Sequence, residues 1–99
     1  MKFWVKVQRT EGSNGEEVLV GACDEELLGK EIEHLKISES FFKGELVSEE
    51  EAIKKIEKAT IANLVGTNII YSALKHNLVS NDSVKNIAGV PHAQIVLLN

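Results

Sequence analysis

The stretch SEEEAIKKIEKATIANLVGTNIIYSALKH, from Ser48 to His76, decides how the chain is read. It opens on a capping box, with Ser48 three residues before Glu51. Ala52, Ile53, Ile56 and Ala59 then recur at helical spacing. Glu50 precedes Lys54 by four residues, and Glu51 precedes Lys55 by four, the better orientation for helix-stabilising pairs. A helix over Glu49–Lys58 follows. The next run, Ile61-Ala62-Asn63-Leu64-Val65-Gly66, fits either a buried strand or an extension of that helix, because short apolar runs carry no decisive period. A strand is favoured, since Thr67 or Asn68 can then cap a second helix over Asn68–His76 with Ile69, Ile70, Ala73 and Leu74 on one face. Asn77 can end it in the left-handed conformation.

Toward the N-terminus, Phe3, Val5 and Val7 alternate with polar residues, as in a strand with one buried face. Trp4 falls on the other face, which is therefore either partly covered or exposes a tryptophan. Glu11-Gly12-Ser13-Asn14-Gly15 is turn chemistry centred on Asn14-Gly15, and Val18 to Cys23 reads as a second, antiparallel strand. Asp24 is placed to cap a short helix through Leu27 and Leu28 that Gly29 stops. Ile32 to Ile37 reads as a third strand, and Ser40 to Gly44 as a connector carrying Phe41 and Phe42. Toward the C-terminus, Ser80-Asn81-Asp82 turns the chain, Val84–Ile87 is a short strand, Ala88-Gly89-Val90-Pro91 breaks it, and Ala93–Leu98 is the last strand. The expected fold is α+β, a single domain over residues 1–99, with five or six short strands in a mixed, mainly antiparallel sheet and two helices on one face. Strand and helix alternate in the second half, which allows a local parallel pair.

The composition narrows the function. With 15 acidic residues against 11 Lys plus Arg, the net charge is -4, a poor match to duplex DNA. One cysteine, Cys23, cannot form an internal disulfide and suits a reducing compartment. The first residues lack the apolar run of a signal peptide, and nothing approaches the roughly 20 apolar residues of a membrane-spanning helix. A cytoplasmic location without membrane association is expected.

Three segments are distinctive together: Ala22-Cys23-Asp24-Glu25-Glu26-Leu27-Leu28-Gly29-Lys30, Ala62-Asn63-Leu64-Val65-Gly66 and Gly89-Val90-Pro91-His92-Ala93-Gln94. In this order the chain resembles an archaeal family catalogued as domain of unknown function four hundred and twenty-four, from Val18 to Val96. The resemblance implies an archaeal cytosolic source and a stand-alone small domain associated with translation genes. It implies no particular activity.

Two functional expectations result. The first is a non-catalytic accessory or binding module with a protein or ribonucleoprotein partner. Its candidate binding residues are Asp24, Lys30, Asn63, Gly66, Gly89, Pro91, His92 and Gln94. His92 and Gln94 bring donors and acceptors onto a backbone shaped by Gly89 and Pro91. Equally, Gly89–Gln94 is a rigid turn into an edge strand. Asn63 to Asn68 offers a strand-to-helix junction, where helix N-termini bind phosphate, though a single glycine is far from a phosphate-binding fingerprint. The second expectation is a small enzyme with Cys23 as nucleophile at a helix N-terminus, His92 as base and Asn63 as orienting amide. Asp24 beside Cys23 opposes a thiolate, and an isolated cysteine more often fills core space. His34, His76 and His92 join Cys23 as ligand-type residues, at none of the spacings of structural zinc sites; neither metal nor cofactor is expected.

Overall fold

The computed structural model describes residues 1–13 and 15–96. Asn14 of the expected turn, and Leu97 and Leu98 of the expected last strand, lie outside the described residues. Two long strands, β1 (Lys2–Gly12) and β2 (Gly15–Asp24), form the expected antiparallel hairpin. After it come β3 (Glu31–Ile32), β4 (Leu35–Lys36), the short helix α1 (Glu39–Phe42) and β5 (Glu45–Ser48). The second half runs α2 (Glu49–Glu57), β6 (Ile61–Val65), α3 (Thr67–Lys75), β7 (Lys85–Ile87) and β8 (Val90–Val96). Six strands make one sheet in the order β5-β1-β2-β6-β8-β7, while β3 and β4 pair separately. Every neighbouring pair in the large sheet is antiparallel except β2 with β6, which are parallel. The chain leaves β2, reaches the sheet's far edge at β5, and returns through α2 to lay β6 beside β2.

Helices α2 and α3 close one face. The apolar stripe of α2 (Ala52, Ile56) and that of α3 (Ile69, Ile70, Ala73) pack on Phe3, Val5, Val20, Ala22, Ala62, Leu64 and Ala93. The Ser48 hydroxyl accepts the Glu51 N–H at 3.3 Å, which is one half of the expected capping box. The run 61–65 is a strand because both its faces are covered near its end, with Ala62, Leu64 and Val65 all buried.

The opposite face is covered only in part. Residues 25–44 fold over it as a roof: a 3-10 turn at Glu25–Leu27, the β3–β4 pair and α1. Ile37 and Phe42 from the roof bury Cys23 and Val65, with Trp4, Leu27, Leu28, Leu35 and Phe41 packed around them. Trp4 is therefore half-buried, and the Phe41–Phe42 pair, edge to face at 5.0 Å, belongs to this second core.

Four local expectations change. The segment after Asp24 is a 3-10 turn that Asp24 does not cap. The third strand is two two-residue strands turning at Glu33, whose φ of 53 is left-handed. Part of the connector over Ser40–Gly44 is helical, as α1, with the Ser38 hydroxyl accepting the Phe41 N–H. Strand β8 is internal rather than an edge, lying between β6 and β7, and Pro91 sits inside it. The proline is tolerated for a geometric reason. Ile87 and Val90 close a two-residue turn, so Asn86 and Pro91 are a pair that exchanges no ladder bonds. Toward β6, the Pro91 carbonyl accepts the Gly66 N–H at 2.9 Å, and the Gly66 carbonyl is taken by Ile70 N–H at 3.1 Å. No donor is wanted where proline lacks one.

Candidate functional site

Strand register arranges the roofed face in rows. One runs Leu46–Trp4–Cys23–Val65–His92–Lys85 from β5 to β7. The next runs Lys6–Gly21–Asn63–Gln94, and a third Gln8–Leu19–Ile61–Val96. The roof seals the first row as far as Val65, and Phe41 lies over Gly21. Beyond it the rows are open. Asn63, Ile61 and His92 are half-buried, Gln94 and Lys85 exposed, and Val96 50% exposed. On the helix side of the same strands Ala62, Leu64 and Ala93 are all buried. The strip Asn63–Gln94–His92–Lys85, flanked by Ile61 and Val96, is thus a partly open sheet face that carries hydrogen-bonding groups. In it the His92 pKa is lowered, first by burial and then by the Lys85 charge. Its imidazole is therefore neutral around neutral pH, with one donor and one acceptor nitrogen.

Asn63, His92 and Gln94 were singled out in the sequence, and the fold brings them together. Lys85, Ile61 and Val96 were not. The period of two from Asn63 and Gln94 puts Ile61 and Val96 on their face, but Lys85 joins only through the β7–β8 register.

The suggested trio of Cys23, His92 and Asn63 does not converge. Cys23 and His92 share a row with Val65 between them, two strand spacings or about 10 Å apart at their backbones. Asn63 lies in the adjacent row, opposite Gln94. Cys23 is 0% exposed, and burial, with Asp24 and Glu26 adding, pushes its thiol up to about 12. A nucleophilic cysteine needs the opposite environment, partly exposed and electropositive.

Asp24 is on the helix side. It is 2% exposed, and its two carboxylate oxygens accept the Asn68 N–H at 2.9 Å and the Ile69 N–H at 2.8 Å. It therefore caps α3 from 44 residues away, and neither Thr67 nor Asn68 serves as a side-chain cap. Burial raises its pKa, the two N–H groups pull it down, and Glu26 raises it further; the net direction is up. Gly66 has φ +128, and a Cβ there would lie 2.4 Å from the Asp24 carboxyl carbon. Only glycine meets both demands. The helix terminus suggested for phosphate already holds an anion of the chain itself. Lys30 is exposed on the roof, and Ala88-Gly89, with φ 51 and 85, makes a tight β7–β8 turn. His34 is exposed in the β3–β4 turn, and His76 Nδ1 lies 2.9 Å from the Ser72 carbonyl at the end of α3. Among the described residues no three His, Cys, Asp or Glu side chains are grouped to hold a metal ion. Nor is any described helix long and apolar enough to cross a membrane.

A mixed six-stranded sheet with two helices on one face and a partial roof on the other defines a small α+β domain with an open strip of sheet. The chain belongs to the family DUF424, described as a protein of unknown function, whose model matches residues 11–98. It is similar to a crystal structure of an uncharacterized conserved protein from Methanopyrus kandleri, with 26% identity and a TM-score of 0.78 over 100% of this chain and 96% of that one. No curated protein matches it.

Proposed function

We propose that this chain is a non-catalytic binding module of the archaeal cytoplasm that docks onto a protein or ribonucleoprotein partner through the strip Asn63–Gln94–His92–Lys85. The observation that carries this is the asymmetry of β6 and β8. Their helix-side residues are sealed, while Asn63, Gln94 and His92 on the other side keep donors and acceptors in reach of solvent. Ile61 and Val96 beside them supply apolar area to bury, and interfaces combine such area with a polar rim. A burial-raised thiol pKa and the Val65 barrier favour binding over cysteine chemistry. The translation setting rests on the family resemblance alone. Affinity capture of the tagged chain from archaeal lysate, with mass spectrometry and RNA recovery, tests the reading. Stoichiometric ribosomal proteins or an initiation factor, lost with an N63A/Q94A double variant, are expected. Recovery of the chain by itself overturns the reading for any stable complex.

A further inference from the structure

We infer that the cleft between the β1–β2 hairpin and α2, on the helix side of the sheet, is a second site, one for a small phosphorylated ligand of mononucleotide size. The cleft is an open groove of about 630 Å³, inside the range of roughly 300–1,000 Å³ typical of small-molecule sites. Four of the chain's 11 basic residues line it: Arg9, Lys54, Lys55 and Lys58. Against them the lining holds one acidic residue, Glu51, while Glu16, Glu45 and Glu50 stand beside it as ion-pair partners.

The end of α2 accounts for part of this basic lining, since cations suit a helix C-terminus. Lys54 and Lys58, however, are like charges four residues apart, an arrangement that costs helix stability. Arg9 comes from a strand, opposite Val18, with no helix dipole to complement. Two separate elements thus converge positive charge on one cavity, whose floor is the aliphatic pair Val7 and Val18.

The ion pairs already present leave these cations available. Arg9 meets Glu16 at 3.4 Å, Lys54 meets Glu50 at 3.5 Å and Lys55 meets Glu45 at 3.5 Å. The Arg9 and Lys54 pairs are exposed on both sides, and the Lys55 pair on its Glu45 side, so they are weak and exchangeable. Lys58 has no salt bridge among the described residues. A phosphate with two or three charges outcompetes such carboxylates, above all at Arg9, whose guanidinium takes phosphate oxygens bidentately. The same carboxylates limit the ligand's size. Glu16, Glu45 and Glu50 partner the cleft's own cations, and Glu51 lines it, so a long polyanion running on past the cleft meets repulsion. A compact anion with an apolar or aromatic part to rest on Val7 and Val18 fits both the charge and the floor.

The test is a heteronuclear NMR titration of the whole chain with ATP as probe, at low and moderate salt, beside pyrophosphate and a short oligouridine. Shifts confined to Val7–Arg9, Val18 and Glu51–Lys58 are expected, with ATP tighter than pyrophosphate. R9Q and K58Q should each weaken ATP about tenfold, the weight of one charge-assisted bond, while K43Q, on an exposed residue away from the cleft, leaves it unchanged. Four results overturn the proposal: no ATP binding at millimolar concentration, shifts elsewhere, R9Q and K58Q without effect, or oligouridine binding the cleft where ATP does not. Pyrophosphate binding as tightly as ATP overturns the mononucleotide size.

Discussion

At the scale of single residues, Asp24 ties the end of β2 to the start of α3 by accepting two backbone N–H groups. Asp24→Asn keeps the shape but turns an amide NH2 donor toward one of those N–H donors. It is expected to cost about 1–3 kcal/mol in urea denaturation, the weight of a buried donor left unsatisfied. Loss of less than a few tenths would mean that the cap is not holding α3. Gly66→Ala should destabilise at least as much, because a methyl group at φ +128 also drives into the Asp24 carboxylate. This cap was not legible in the sequence. An aspartate followed by two glutamates and two leucines reads as the start of its own helix, and nothing local says that a helix 44 residues later will claim its oxygens. Cys23 gives a second expectation. Its thiol, buried and held near 12, should resist alkylation in the native state and react only as fast as the roof opens. Fast labelling at neutral pH without unfolding would contradict the buried placement. His92 is the third. Its pKa is lowered in the fold, so the unfolded chain takes up a proton first as pH falls through the ordinary value of 6.5. The stability His92 gives is complete above that pH and declines below it. In His92→Asn the slope of stability against pH between about 6.5 and 5 should be shallower than in the parent.

At the scale of elements, local rules gave the right kind of structure wherever the deciding contacts are local. The α2 serine cap, the Glu50–Lys54 pair and the apolar spacing of α3 are all short-range signals, and both helices form within one residue of the expected limits, though Lys55 pairs with Glu45 rather than with Glu51. Strand β6 was legible because a cap for α3 was needed somewhere after it, even though the residue that supplies the cap is distant. Strand β5 was missed: it has four residues, only Val47 of them is buried, and it ends on the very serine that starts α2. The roof was misjudged in the same way, as its two-residue strands are shorter than any usable period. The β7–β8 turn carries a prediction at this scale. Ala88 sits at φ 51 in a two-residue turn that wants residues tolerant of positive φ. Ala88→Gly removes a left-handed alanine that costs about 1–2 kcal/mol, partly offset by the greater freedom of glycine when unfolded, so thermal denaturation should show a modest rise in Tm. A fall would mean the turn has a different geometry.

At the scale of the whole molecule, the mixed, mainly antiparallel sheet with helices on one face was readable from the alternation of elements. The strand order was not. The parallel contact of β2 with β6 and the internal position of β8 are long-range facts that no stretch of sequence carries by itself. They decide the site as well. They set Val65 between Cys23 and His92, and they line up Asn63, Gln94 and His92 on the partly open strip of the sheet. The second core under the roof explains why only part of that face is open, since it takes in Trp4, Cys23, Val65 and Val90 but leaves Gln94, Val96 and Lys85 exposed. We propose this open strip as the docking surface. Its most direct test places a photo-crosslinking amino acid at Gln94, and separately at Glu57 on the opposite, helical layer, in the tagged chain exposed to archaeal lysate. One defined adduct from position 94, with none from position 57, is the expected result; adducts from both positions alike, or from 57 alone, would contradict it.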